Sequence, residues 1–182
     1  SNTNNETIVG ETVYDFEGRP TIQVMPVPSG STEIKYNNHF NKNVSGNTYD
    51  ADDFDASTGC TTTTGALNTS SGASNYYSSN TSTTEEYQAF LPDANGFPFS
   101  QVEYTNDNSG RIKTQGGVGK DFQLGTHDTR YFYGQPEQEE LDRLFGSEVG
   151  FNDHYKKNAV VDPNGQISVS YIDATGKVIA TA

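Results

Sequence analysis

Cysteine, methionine and tryptophan are nearly missing from this sequence of 182 residues, which has one Cys, one Met and no Trp. A lone Cys60 excludes an intrachain disulfide framework and any zinc cluster built on cysteines. Cations are scarce as well. Eleven Lys and Arg stand against twenty-four Asp and Glu, giving a formal charge of −13. Nucleic-acid binding needs clustered Lys and Arg to neutralise phosphates, so DNA and RNA are excluded as partners. Apolar residues make up only 31% of the chain, and no run approaches the roughly 18 residues a membrane span requires. The chain is therefore expected not to span a membrane. Its opening residues carry no signal-peptide pattern and read as the start of a processed segment.

Aromatics are what the chain has in quantity: eleven Tyr and ten Phe, 12% of all residues. They sit in alternating stretches rather than polar tracts, which argues against disorder despite the low hydrophobicity. Period-2 alternation predicts strands over 7–14, 21–25, 99–104, 130–133, 158–161, 166–171 and 177–180. Pro26 and Pro28 are expected to stop the second strand, because neither can donate to a ladder. One helix is predicted. Pro136 suits a first helical turn, and Glu137, Glu139 and Glu140 favour the positive end of the helix dipole. Leu141, Leu144 and Phe145 would form one apolar stripe, and Gly146 would cap the end. The expected fold is all-β, a single segment 1–182 of antiparallel hairpins in an open, twisted sheet, with one short α-helix near 136–145. Residues 56–86 are dominated by Ser, Thr, Asn and Gly and read as a long surface loop, with Tyr76 and Tyr77 as an anchor.

The most informative pattern is Asp-x-x-Gly. It occurs five times where strands are expected to meet: Asp15 to Gly18, Asp93 to Gly96, Asp107 to Gly110, Asp162 to Gly165 and Asp173 to Gly176. An Asp opening a type I turn can accept from the backbone N–H groups that follow it. A Gly at the fourth position takes the left-handed conformation that closes the hairpin with a bulge. Cations follow three copies, at Arg19, Arg111 and Lys177. Tyrosines precede the same three, at Tyr14, Tyr104 and Tyr171, so each cation is expected over a ring of its own hairpin.

Tyr14-Asp15-Phe16-Glu17-Gly18-Arg19 resembles the core of the YD repeat, the unit of Rhs and teneurin-like proteins. Three longer stretches, 10–28, 90–119 and 131–182, are similar to a region of very large Bacteroidota surface proteins that carry such repeats. The resemblance implies strips of β-hairpins that wind into a shell, a container or extracellular interaction surface rather than a catalyst. It also implies export to the bacterial cell surface or beyond, by the type IX route. The repeats here are few and irregular, and the Asp-Pro-rich core that closes an Rhs shell is lacking. On this reading the chain is one panel and not a closed box.

Asp50, Asp52, Asp53 and Asp55 lie close enough to gather oxygen ligands for calcium. Phe54 stands where an EF-hand loop needs a ligand, so the run reads instead as a solvated acidic turn with Phe54 tucked into the sheet. His39, His127 and His154 are far apart in sequence and read as surface residues. Gly116-Gly117-Val118-Gly119-Lys120 lacks the Walker spacing and reads as a flexible turn. No carboxylate pair is singled out by an apolar setting for glycoside hydrolysis. Tyr76, Tyr77, Tyr131 and Tyr133 could stack on sugar rings. The sequence thus favours a non-enzymatic structural segment of a large secreted or surface YD-repeat protein, without cofactor, whose partners are other segments of that chain. An adhesin-like module for glycan or protein is the alternative, and a hydrolase domain the third reading.

Overall fold

The computed structural model describes residues 6–55, 64–79 and 90–182. Its strands are β1 (Ile8–Tyr14), β2 (Pro20–Pro28), β3 (Phe99–Tyr104), β4 (Ile112–Gly116), β5 (Thr129–Gly134), β6 (Lys156–Val161), β7 (Ile167–Ile172) and β8 (Val178–Thr181). The helices are α1 (Ala51–Phe54), α2 (Gly72–Tyr76) and α3 (Gln138–Phe145). Strand neighbours follow chain order, and β1–β2, β2–β3, β5–β6, β6–β7 and β7–β8 pair antiparallel. The expected all-β class with a short helix near 136–145 is what forms. The chain divides into two compact units, one of residues 1–103 and 115–128, the other of 104–114 and 129–182.

The first unit owns a core of Ile22, Val24 and Val27 from β2, Phe99 from β3, Tyr49, Phe54, Leu67 and Ala73. Burial of each large side chain in this group stabilises by about 1.5–3 kcal/mol. Tyr49 stacks on Phe54 with centroids 6.3 Å apart, and its ring tilts against Phe99 at 6.0 Å. Strand β2 does not stop at its prolines. Its pairing with β1 slips between Val9 and Glu11, so the partners run Glu11–Val24 and then Val9–Val27. Three steps along β2 thus face two along β1, and the bulge returns Val27, rather than Pro26, to the core side. Both prolines lie beyond the Ile22–Val24 stretch that pairs with β3, where a missing N–H removes no bond of that ladder.

Residues 64–79 depart from the expected surface loop. Leu67, Ala73 and Ser74 are fully buried there. Leu67 bridges Asn43, and its N–H donates to the Gly96 carbonyl at 2.8 Å. The buried Asn41 ties this segment to β1. Its amide nitrogen donates to Glu11, and its Oδ1 accepts from the Ala73 N–H at 2.9 Å. Tyr77 is the anchor the sequence suggested: its hydroxyl donates to the Pro26 carbonyl at 2.8 Å, and its ring meets Tyr76 edge-on at 5.0 Å. Residues 56–63, with Cys60, and 80–86 lie outside the described residues.

The second unit is built differently. Its buried apolar side chains are Pro136, Leu141 and Tyr171. Helix α3 begins one residue after Glu137, so Pro136 precedes the cap rather than opening the first turn. Of the expected apolar stripe only Leu141 is buried. Leu144 is half-exposed, and Phe145 sets its edge on Tyr171 with centroids 6.2 Å apart. What binds α3 to the sheet is Glu140, whose Oε1 accepts from Lys157 Nζ at 2.6 Å and from the Tyr171 hydroxyl. Strand β4 was missed by the alternation test. Ile112 is the one large apolar side chain of Ile-Lys-Thr-Gln-Gly, so the period had no second point to show itself.

Gly72 tests the packing of the misread segment. Its φ is +58°, and an added Cβ would lie 2.4 Å from the Phe40 carbonyl oxygen and 2.5 Å from Asn41 Oδ1. Gly72→Ala is expected to cost about 2–4 kcal/mol in urea unfolding. A solvated loop would tolerate the change with a shift under about 0.5 kcal/mol.

Candidate functional site

Three of the five Asp-x-x-Gly copies fold into one chemical object. In the corner between β1 and β2, Asp15 N–H donates to the Arg19 carbonyl at 3.0 Å and Gly18 N–H to the Asp15 carbonyl at 2.9 Å. Asp15 Oδ1 accepts from the backbone N–H of Glu17 at 3.0 Å and of Arg19 at 2.8 Å. Between β6 and β7, Asp162 makes the same four bonds with Gln166, Gly165 and Asn164. Between β7 and β8, Asp173 makes them with Lys177, Gly176 and Thr175. The closing glycines share φ values of +77°, +81° and +85°. A side chain at that φ would be strained, and the carboxylate occupies two N–H groups that no strand reaches.

The other two copies differ. Asp107 lies between β3 and β4, but the loop is closed two residues earlier, by Thr105 N–H on the Arg111 carbonyl at 2.8 Å. Asn108 takes a positive φ of +57°, and the Asp107 carboxylate accepts from Ser109, Thr105 and Arg111 side chains as well as the Ser109 backbone. The Asp93 copy is not a strand-to-strand corner. Its turn is displaced by one residue, with Phe97 N–H on the Ala94 carbonyl and both Asn95 and Gly96 at positive φ. Asp93 instead accepts from Asn95 N–H at 2.7 Å and from Ser79 N–H at 3.1 Å. An Asn before Gly admits two consecutive left-handed residues, which moves the bend.

The cation-over-ring expectation places the wrong partners together. Arg111 lies 4.6 Å from the centroid of Tyr133, where Tyr104 was expected. Over Tyr171 stands Lys157 at 5.8 Å, where Lys177 was expected. Arg19 pairs with Asp15 at 2.8 Å and with Glu17 at 3.0 Å. Across a strand pair the nearest ring belongs to the neighbouring strand at the same register, and Lys157 faces Tyr171 directly in the β6–β7 ladder.

The acidic run is occupied by its own backbone. Asp50 caps α1 by accepting from Asp52 N–H, and Asp53 Oδ2 accepts in return from Asp50 N–H at 3.0 Å. Asp53 Oδ1 accepts from Asn43 Nδ2 at 3.0 Å, and Phe54 is buried in the core as expected. The run is therefore solvated as expected, with Asp50, Asp52 and Asp55 exposed, but it forms a capped short helix instead of a turn. Burial raises the Asp55 carboxyl above its ordinary value, helped by Asp15, Glu103 and Glu17 nearby. Among the described residues no three His, Cys, Asp or Glu side chains gather to hold a metal ion.

His39 reaches Thr48, His127 reaches the Asp121 carbonyl at 2.9 Å, and His154 lies 3.7 Å from Asp153; all three are exposed. The Gly116–Lys120 stretch is held rather than loose. Gln123 Nε2 donates to the carbonyls of Gly117 and Gly119, and Gly119 N–H donates to Phe97. Tyr76, Tyr77, Tyr131 and Tyr133 are half-buried, and the Tyr133 hydroxyl donates to the Ile112 carbonyl at 2.9 Å. No helix among the described residues is long and apolar enough to cross a membrane. No protein-family model matches the chain, and no curated protein matches it.

Asp15, Asp173 and Glu140 titrate below the ordinary carboxylate range. Burial raises Asp15, but the N–H of Arg19 and its guanidinium outweigh it. The Thr175 hydroxyl and the Lys177 N–H hold Asp173 down, and Lys157 and Tyr171 hold Glu140 down. A depressed carboxyl stabilises the fold above its unfolded pKa, and that contribution is lost as pH falls through the folded value. The urea midpoint should therefore fall on acidification below about pH 4. Glu140→Gln should flatten that slope, and an unchanged slope would show that the ion pair carries none of it. Asp162→Ala should leave the amides of Asn164 and Gln166 without their acceptor. Their hydrogen exchange should then accelerate at least about tenfold, the equivalent of about 1.4 kcal/mol.

Proposed function

We propose that the chain is a non-enzymatic structural segment of a large secreted or cell-surface β-hairpin protein, a panel that scaffolds or shields other parts of the same chain. The observation that carries this reading is the recurrence of one four-bond corner at Asp15, Asp162 and Asp173, each joining consecutive antiparallel strands. A chain whose chemistry is spent on turning strands back on themselves adds hairpins by repetition, which suits a scaffold. The polar side chains in the described units support it further. Asp50, Asp53, Asn41 and Gln123 are engaged by backbone groups, not aimed into a common cleft. The YD-repeat likeness of residues 14–19 points the same way, and it extends the reading to export and display on a bacterial surface.

The test is the coding sequence on either side of this segment in its source genome. Further Asp-x-x-Gly hairpins at similar spacing should flank it. Flanks that encode an unrelated catalytic domain, with no such corner, would overturn the scaffold reading. Surface display is tested separately by protease shaving of intact cells, which should release peptides of this segment before the cells lyse.

A further inference from the structure

The first unit leaves a stretch of its backbone unattached. Residues 32–36, Thr-Glu-Ile-Lys-Tyr, belong to no strand or helix, and all of them are exposed. Ile34 is 97% exposed and Tyr36 is 88% exposed, the two largest values among the exposed large hydrophobic residues. The stretch hangs between anchors. Before it, the Ser31 carbonyl accepts from the Thr7 N–H at 2.8 Å and from the Thr7 hydroxyl at 3.0 Å. After it, His39 reaches Thr48, and the buried Asn41 binds Glu11 and Ala73. Among the described residues no backbone–backbone hydrogen bond holds Ile34, Lys35 or Tyr36. The Lys35 carbonyl accepts from the Asn37 side chain at 3.2 Å, a contact local to the stretch.

That sets Lys35 apart from the other cations. All eleven Lys and Arg lie within the described residues. Lys113, Arg130, Lys156 and Lys157 are in strands, Arg143 is in α3, and Lys120 opens a short helical turn, Lys120–Phe122. Arg19, Arg111 and Lys177 close corners through their own carbonyls. Lys42 bridges Thr48, and its carbonyl accepts from the Asn68 N–H at 2.8 Å. A protease takes its substrate as an extended strand bonded through the backbone, so cleavage at any of these must first break bonds of the fold. Cleavage at Lys35 breaks none.

A cut there leaves both pieces held. On its amino-terminal side, β2 keeps its ladder with β3, and Met25 N–H keeps the Pro98 carbonyl at 2.8 Å. Ile22, Val24 and Val27 share one core with Phe54, Leu67 and Phe99 from the other side of the cut. The Tyr77 hydroxyl on the Pro26 carbonyl and Asn41 on Glu11 cross the same divide.

We propose that residues 32–36 are a processing site, cleaved after Lys35 by an endopeptidase whose specificity pocket carries a carboxylate, and that the two pieces stay folded as one unit. Water adds across the Lys35–Tyr36 amide: the carbonyl carbon of Lys35 takes the hydroxyl, and the nitrogen of Tyr36 takes the proton. The exposed Lys35 ammonium, in no ion pair among the described residues, is free to enter such a pocket. This proposal stands apart from the scaffold reading, which the genome flanks decide.

Two measurements test it. Trypsin at a low ratio should cut the whole folded chain after Lys35 at least about tenfold faster than after any other Lys or Arg, because those sites wait on local opening. The cut chain should elute from a sizing column with the parent and come apart only in denaturant. Lys35→Gln should slow the first cut at least about tenfold while keeping the parent's urea midpoint, since it alters a solvated side chain. A first cut elsewhere, or pieces that separate without denaturant, would overturn the proposal. The second measurement is mass spectrometry of the protein recovered from its source cells. Amino termini at Tyr36 are expected, and a Lys35–Tyr36 bond left whole throughout that population would overturn processing.

Discussion

A carboxylate that accepts from two backbone N–H groups two and four residues ahead is the contact on which the hairpins of this chain depend. A turn leaves N–H groups that neither strand can reach, and exposing them to competition with water loosens the corner. Asp15, Asp162 and Asp173 each occupy that pair of donors with one oxygen, while a glycine at positive φ lets the returning strand re-enter in register. The bulges recorded between Val13 and Tyr14 and between Tyr171 and Ile172 are the continuation of this geometry into the strands. Asn41, Asp50 and Asp53 do the same service for short helices, so polar side chains supply much of what a larger core would supply elsewhere.

The two units divide the labour unevenly. The first gathers its aromatics and aliphatics around Phe54, Phe99 and Ile22, with Tyr49 bridging two rings and donating its hydroxyl to the Gly65 carbonyl at 2.7 Å. The second keeps three apolar side chains fully inside and relies on ladders, on Glu140 with Lys157 and Tyr171, and on Arg111 over Tyr133. An antiparallel sheet tolerates this because its backbone bonds are complete whatever its faces carry.

Much of this was legible in the residues. Alternation marked seven of the strands to within a few positions, and Gly146 marked the end of α3. The corners could be read because their chemistry is local: every donor lies within four residues of its acceptor. What escaped depended on partners distant in sequence. Asn41 binds Ala73 and Glu11 across about thirty residues, and nothing near residues 64–79 announces that Leu67 will find Gly96 or that Gly72 must fit beneath Phe40. Pro26 and Pro28 misled because the bulge where β2 pairs with β1 leaves them off the core side. Arg111 was matched to Tyr104 instead of Tyr133, and Tyr171 to Lys177 instead of Lys157, because cross-strand register is a property of pairs of strands.

The sparse interior of the second unit also governs how it answers to temperature. Opening a structure that hides little hydrocarbon exposes little new surface whose hydration raises the heat capacity. The free energy of such a unit then bends only gently between cold and warm, without the steep dome of an oil-filled domain. The second unit is therefore expected to hold nearly the same margin against unfolding from cold to warm.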